Sequence, residues 1–401
     1  MKIFTQEGFR FDKTFQILLI LLAFFLPVSV ALTNVLLALL VLLWSLSGQY
    51  KLKFLLISKS KLAQLSIIFY LVHILGMFWS IDLDWGLKIL KKMADFLFLL
   101  PIMVTITRRK NLEIYLYTFL SSIFLIVLLS ILVYLQIIDP FYKATVINPT
   151  ITMSHVSYNV IIAFAAYLTL YQLIFIKKKA LNLNFFLSIL FLMITIDMFI
   201  TAGRTGQILY AFLIILLTFQ YLRKNFFKAL MISTLFLSFV VTLAYNFSYT
   251  FQSRIQDVID YANNVKDTPP SISQRAHFQK VSLDIFLNNP LIGIGTGSFP
   301  KKYNETEKLY GDGYSYPTSN PHNMYLLVGS QLGVMGLIAM LSIFLYQIKF
   351  AIKSSGFYRD YGIALPLGYL LIFFAESYLL GHFTTVFFVF FSSIIYAQEQ
   401  S

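Results

Sequence analysis

The sequence predicts an all-α polytopic membrane protein of about twelve transmembrane helices, with one large and partly helical loop on the outer face. Three observations carry that prediction. Hydrophobic residues fill 58% of the 401 positions and charged residues only 12%, so apolar runs long enough to cross a bilayer recur along the whole chain. The loops between those runs alternate in charge, as expected for helices that cross back and forth. One connection, 246–320, is long enough to fold by itself, which divides the chain into helices within 1–245, a loop region 246–320 and a last group of helices within 321–401. A soluble globule is excluded. There is no cysteine, so disulfides and thiolate metal sites are excluded as well.

Each element follows from its own stretch. Lys2, Arg10 and Lys13 precede an apolar run with no small-residue cleavage site, which reads as a retained first helix and not a signal peptide. Spans one and two cover about 15–30 and 32–47 and lead to a loop with Lys51, Lys53, Lys59 and Lys61. Span three, about 62–79, ends at the acidic pair Asp82 and Asp84, and span four, about 86–106, ends at Arg108, Arg109 and Lys110. Span five (about 112–136), a polar loop at 138–155 and span six (156–175) lead to Lys177, Lys178 and Lys179. Span seven, about 183–202, turns through Gly203-Arg204-Thr205-Gly206 into span eight, which stops at Arg223 and Lys224. Span nine (about 228–245) opens into the large loop. Span ten runs from His322 to about 347, and spans near 362–379 and 383–397 complete twelve.

With both termini placed in the cytoplasm, the basic clusters fall on the cytoplasmic loops, so the formal charge of +13 is accounted for by positive-inside bias. Nucleic-acid binding is therefore not indicated. The same assignment gathers the acidic loop after span three, the Arg204 turn, the large loop and the start of span ten on the outer face.

The polar residues of that face are the candidates for chemistry. Asn320 reads as an N-cap and Pro321 as the first helical residue, which puts His322 in a first turn beside free amides. There the helix dipole favours a neutral imidazole and attracts anions; the other reading is a helix-end histidine at the interface. Arg204, in a glycine-flanked turn, has the fork geometry for a phosphate. Asp197, seven residues earlier on what reads as the same helical face, and Glu376 in span eleven are acids within apolar runs. They either neutralise Arg204 or a lysine, or serve a pathway.

In the large loop, Ser273 reads as the cap of a helix that Asn288-Asn289-Pro290 stops, so Arg275 also falls in a first turn. It is either a second pyrophosphate ligand or a solvated surface arginine. Lys88 and Lys92 share one face of span four and either hold a lipid-linked phosphate or snorkel to the interface. The run Gly293-Ile294-Gly295-Thr296-Gly297 has the wrong spacing for a dinucleotide site and reads as a compact glycine turn. No P-loop and no outer acids at metal-ligand spacing are visible.

The spacing His322-Asn323, nine residues, Gly333, two residues, Gly336-Leu337 resembles the signature of the bacterial O-antigen ligase family. The resemblance extends to the twelve-span layout, the large periplasmic loop after span nine, Arg204 and Arg275. O-antigen polymerases and protein O-oligosaccharyltransferases share much of that layout. The resemblance implies a GT-C-like glycosyltransferase of the bacterial inner membrane, working on its periplasmic side with neither metal nor nucleotide cofactor. It would move a glycan from undecaprenyl pyrophosphate to a sugar hydroxyl of lipid A–core, in contact with membrane lipids. His322 would take the hydroxyl proton, Arg204 and Arg275, with Lys88, Lys92 or Asn323, would hold the substrate, and Gly333 and Gly336 would admit a neighbouring helix or the lipid chain. A transporter is the reading from another class, but the long loop lies off-centre and the unusual charges lie near the outer face, where carriers of repeated halves hold substrate at mid-membrane.

Overall fold

The computed structural model describes residues 11–176, 180–263, 270–310 and 317–396, and every regular element among them is helical. Both chain ends and the lysine run at 177–179 lie outside the described residues. The α-helices are α1 (Asp12–Phe25), α2 (Val30–Leu46), α3 (Tyr50–Lys59), α4 (Lys61–Leu75), α5 (Leu83–Ala94), α6 (Leu100–Ile106), α7 (Leu112–Tyr134), α8 (His155–Phe175), α9 (Leu181–Ile200), α10 (Arg204–Tyr221), α11 (Phe226–Phe247), α12 (Tyr249–Ala262), α13 (Pro270–Asn288), α14 (Phe299–Glu307), α15 (Met324–Lys353), α16 (Gly356–Ile372) and α17 (His382–Ile395). The large loop is thus partly helical, through α12, α13 and α14.

Six helical stretches among the described residues are long and apolar enough to cross a membrane, and α2 with α3 would make a seventh were they not bent by 117°. The chain is a polytopic helical membrane protein. Several of the expected twelve spans are shorter or interrupted. The stretch expected as span four is broken by a π-helical turn at Asp95–Leu99 between α5 and α6, and the last two spans are reduced to α16 and α17. The reason is visible in α17. Every side chain from Phe383 to Ile395 is buried by protein, so this helix of 14 residues needs no lipid to cover it.

The chain divides into two compact units, one made of Met1–Leu18, Leu36–Lys110 and Lys266–Ser401 and the other of Leu19–Val35 and Asn111–Val265. The first has an aromatic interior. Phe69 meets Phe96 edge-on at 5.3 Å, Phe344 meets Phe373 and Phe388 at 5.3 Å each, and Tyr369 meets Phe388 at 5.0 Å. Such contacts contribute beyond the area they bury. Tyr369 Oη also donates to the Thr384 carbonyl at 2.6 Å, a polar link between helices.

In the second unit α8 packs against α9 and α10 through two glycines. A Cβ on Gly203 would stand 2.5 Å from Asn159 Cγ and one on Gly206 2.3 Å from Asn159 Cβ, so the glycines flanking Arg204 are explained by helix packing. Asn159 accepts from Thr201 Oγ1 at 3.0 Å. Asp197 is fully buried and accepts from Tyr158 Oη at 2.7 Å. The expected common face of Asp197 and Arg204 is corrected, because α9 ends at Ile200 and Arg204 opens α10. The turn between them breaks the seven-residue spacing.

Candidate active site

The sequence around His322 folds differently from the expectation, and more usefully. Helix α15 starts at Met324 with Asn323 as its N-cap, whose Oδ1 accepts from the Leu326 amide at 3.1 Å. His322 therefore stands outside the helix, in the left-handed region at φ 52°, and is not in a first turn. The proposed cap, Asn320, makes a different structure. Its Oδ1 accepts from the His322 amide at 3.0 Å, an Asx-type turn that holds the unfavourable φ of a side-chain-bearing residue. Asn323 has both ends of its amide engaged, since Nδ2 donates to the Phe374 carbonyl at 3.3 Å. It shapes the helix start.

The chain after α16 returns to this point. The Phe373 carbonyl accepts from the Met324 amide at 2.8 Å, and that docking delivers Glu376. One carboxylate oxygen, Oε2, lies 2.5 Å from His322 Nδ1 and 3.8 Å from Arg275 Nη2. The other, Oε1, accepts from Asn320 Nδ2 at 2.7 Å and from the Ser377 amide at 2.9 Å. Ser377 Oγ in turn donates to Asn320 Oδ1 at 2.7 Å. Burial works against the charged carboxylate, but the hydrogen bond and charge of His322, the Ser377 amide and Asn320 outweigh it and hold Glu376 below the usual carboxyl range.

An ionised carboxylate can only accept, so His322 Nδ1 must carry a hydrogen toward it. With the imidazole neutral, its lone pair is then on Nε2. The ring is fixed on one face by Phe278, stacked at 5.9 Å and 23°, and its side chain stays 30% exposed. A histidine tethered through Nδ1 to a carboxylate is, when neutral, a proton acceptor held in one tautomer.

Arg275 lies in α13, but not in its first turn. The helix begins at Pro270, a residue suited to a first helical position, which puts Ser273 inside the helix and removes its expected role as cap. Arg275 and Phe278, about one turn apart, face the Glu376–His322 pair together.

In the other unit Arg204 is the first residue of α10, with Gly203 before it. Its Nη2 lies 3.8 Å from Asp257 Oδ2, which also receives Arg254 Nη1 at 3.1 Å. Two partly exposed guanidiniums therefore share the Asp257 carboxylate. Neither Arg254 nor Asp257 is among the expected site residues. Their three-residue spacing on a helix of the large loop is the local signal that marks them. Glu376 does pair with basic groups, but they are His322 and Arg275, and a lysine or Arg204 is not needed to explain it. On α5, Lys88 lies with Nζ 4.5 Å over the Trp85 ring, and Lys92 is exposed.

Residues 188–341 match the family described as O-antigen ligase. Through this segment the chain is similar to the O-antigen ligase family. The matched part of the ligase family contains Arg204, Arg254, Asp257, Arg275, His322, Asn323, Gly333 and Gly336, while Glu376, Lys88 and Lys92 lie outside it. A search of curated proteins found no match to the chain.

Proposed function

We propose that the protein is an inner-membrane glycosyltransferase that moves a glycan from undecaprenyl pyrophosphate to a sugar hydroxyl of lipid A–core at the periplasmic face. The carrying observation is His322, within the matched family segment, tethered through Nδ1 to a Glu376 carboxylate that Arg275 also approaches. Nε2 accepts the proton of the acceptor hydroxyl as its oxygen attacks the anomeric carbon. The bond from that carbon to the pyrophosphate oxygen breaks, and the electron pair leaves with the pyrophosphate. Arg275 and Arg204 neutralise the departing charge, with Lys88 and Lys92 as further cations for the lipid-linked phosphate. The imidazolium then returns its proton to solvent or to the leaving group.

The reaction needs neither metal nor nucleotide in this reading, because the donor linkage supplies the free energy and arginine supplies the charge. The positive-inside bias of the loops supports a cytoplasmic location for both termini. The test is transfer by purified protein from a lipid-linked glycan to lipid A–core in detergent. Product formation with release of undecaprenyl pyrophosphate is expected, and its absence with intact, folded protein overturns the reading. Lipopolysaccharide from a deletion strain then identifies the acceptor: bare core with accumulated lipid-linked polymer is expected, and core carrying a single repeat would make the chain a polymerase.

A further inference from the structure

The glycine run 293–297 has no part in the chemistry above, yet it is built into the middle of the helix that His322 opens. Helix α15 is broken at Gly333, with φ 62° and ψ −158°. In an unbroken helix the amides of Val334 and Met335 would donate to the carbonyls of Ser330 and Gln331. Here they donate to Pro290 at 2.8 Å and to Leu291 at 3.3 Å, and the freed carbonyls accept from Ile294 at 3.0 Å and Gly295 at 2.9 Å. A loop thus re-pairs these two amides and two carbonyls, as non-helical backbone at membrane depth requires.

The fit leaves no room for side chains. A Cβ on Gly333 would lie 2.3 Å from the Leu291 carbonyl, one on Gly293 2.3 Å from the Gln331 backbone, and one on Gly297 2.1 Å from the Gly86 nitrogen. Gly333 therefore admits a loop of the same chain, and neither a helix nor a lipid is needed there. Gly336 faces Leu332 of its own helix, 2.4 Å from where a Cβ would stand.

The same loop reaches two more elements. Thr296 donates from its amide to Gly76 at 2.9 Å and from Oγ1 to His73 at 2.7 Å, both at the end of α4. Ser298 Oγ accepts from the Ile81 amide at 3.0 Å, at the entry to α5. Thr296 and Ser298 are fully buried. One short segment is therefore joined to α13 by the chain, spliced into α15, and pinned to α4 and α5. Of these helices, α13 carries Arg275 and Phe278, α5 carries Lys88, and α15 begins two residues after His322.

We infer that the Gly293–Ser298 loop is the positioning hub of the active site, and that Gly297 and Gly333 are positioning residues for it. The inference rests on the proposed role of His322. Catalytic groups tolerate displacements well below 1 Å, and a Cβ at either glycine forces a shift of that order. The two shifts differ in what they move. Gly333→Ala displaces the half of α15 that His322 precedes, so kcat falls at least roughly tenfold with the donor KM little changed. Gly297→Ala displaces α5 and Lys88, so the donor KM rises more than kcat falls.

The chain has no cysteine, which allows a second measurement that does not depend on either variant folding. A full-length protein with Ile294→Cys and Ser330→Cys is compared with itself, oxidised and reduced. A hub keeps turnover within about twofold on oxidation, since the two backbones are already joined. Turnover lost on oxidation and restored by reductant would show that the loop has to part from α15 and would overturn the inference. So would glycine variants that lose folded protein while the folded fraction keeps its normal kcat and KM. Failure of the base reading is distinct, because it shows as normal turnover in His322→Ala.

Discussion

The two charged centres of this protein use a carboxylate in opposite ways. At His322, Glu376 is shared between an imidazole and one guanidinium, and Asn320 and Ser377 take up its other oxygen. At Arg204, Asp257 is shared between two guanidiniums that are both partly exposed. With the imidazole neutral, the first centre sets one carboxylate against one guanidinium and keeps a ring lone pair on Nε2; the second sets one carboxylate against two guanidiniums, groups that can only donate. The difference separates proton handling from anion handling on chemical grounds, before any substrate is considered.

The sharpest break of that comparison is His322→Ala, which should lower kcat by roughly 10²–10⁴-fold, the usual worth of a positioned proton acceptor, with donor affinity little changed. Steady-state kinetics on folded protein check it, and near-normal turnover would reduce the first centre to a structural one. Glu376→Gln keeps the shape but offers the ring an amide, so kcat should fall by roughly 10–10³-fold, again with little change in donor KM. Arg275→Ala and Arg204→Lys should each raise the donor KM and lower kcat, by roughly tenfold or more, because a single ammonium does not replace a bidentate fork. A variant that changed neither constant would remove that arginine from the anion-handling side.

Smaller effects sharpen the picture. Glu376 is held below its ordinary value of 4.5, so its ionised form adds stability that is present above that value and is lost as pH falls through the depressed one. The melting temperature of the parent protein should therefore exceed that of Glu376→Gln near neutrality, with the gap closing only below about pH 4.5. A gap that grew on acidification would show the carboxylate to be unpaired. Smallest of all is Asp257→Asn. A partly exposed ion pair is worth about 0–1 kcal/mol, so stability should barely move. Donor KM should stay level or fall as both arginines lose a competitor, and a large rise would show Asp257 to be part of the anion site.

Much of the site was legible one residue at a time, and little of it as an arrangement. His322, Arg204, Arg275 and Glu376 stand out because a charged or basic side chain at the edge of an apolar run is costly without a purpose. The stop of α13 at Asn288 is readable from Asn288-Asn289-Pro290. The cap of α15 was misread, because Asn320 and Asn323 are both good caps and Pro321 favours the earlier one. What displaced it is the pull of Glu376 and Ser377 on Asn320, which no local pattern contains. The glycine run was legible as a turn; its partner, a break inside α15, was not, since Gly333 alone in a helical pattern reads as a packing residue.

The sequence by itself determined the class of the protein and the inventory of its chemistry. Apolar length dictates membrane helices, charge alternation suggests their direction, and residue type limits which side chains can accept a proton or bind a phosphate. The tertiary structure alone decided which of those side chains meet. His322 and Glu376 are 54 residues apart, and their contact depends on the chain after α16 docking on the start of α15, a matter of packing between helices and not of local preference. It decided the break in α15 as well, because a helix in an apolar surrounding gives up hydrogen bonds only where another backbone is already in place to restore them.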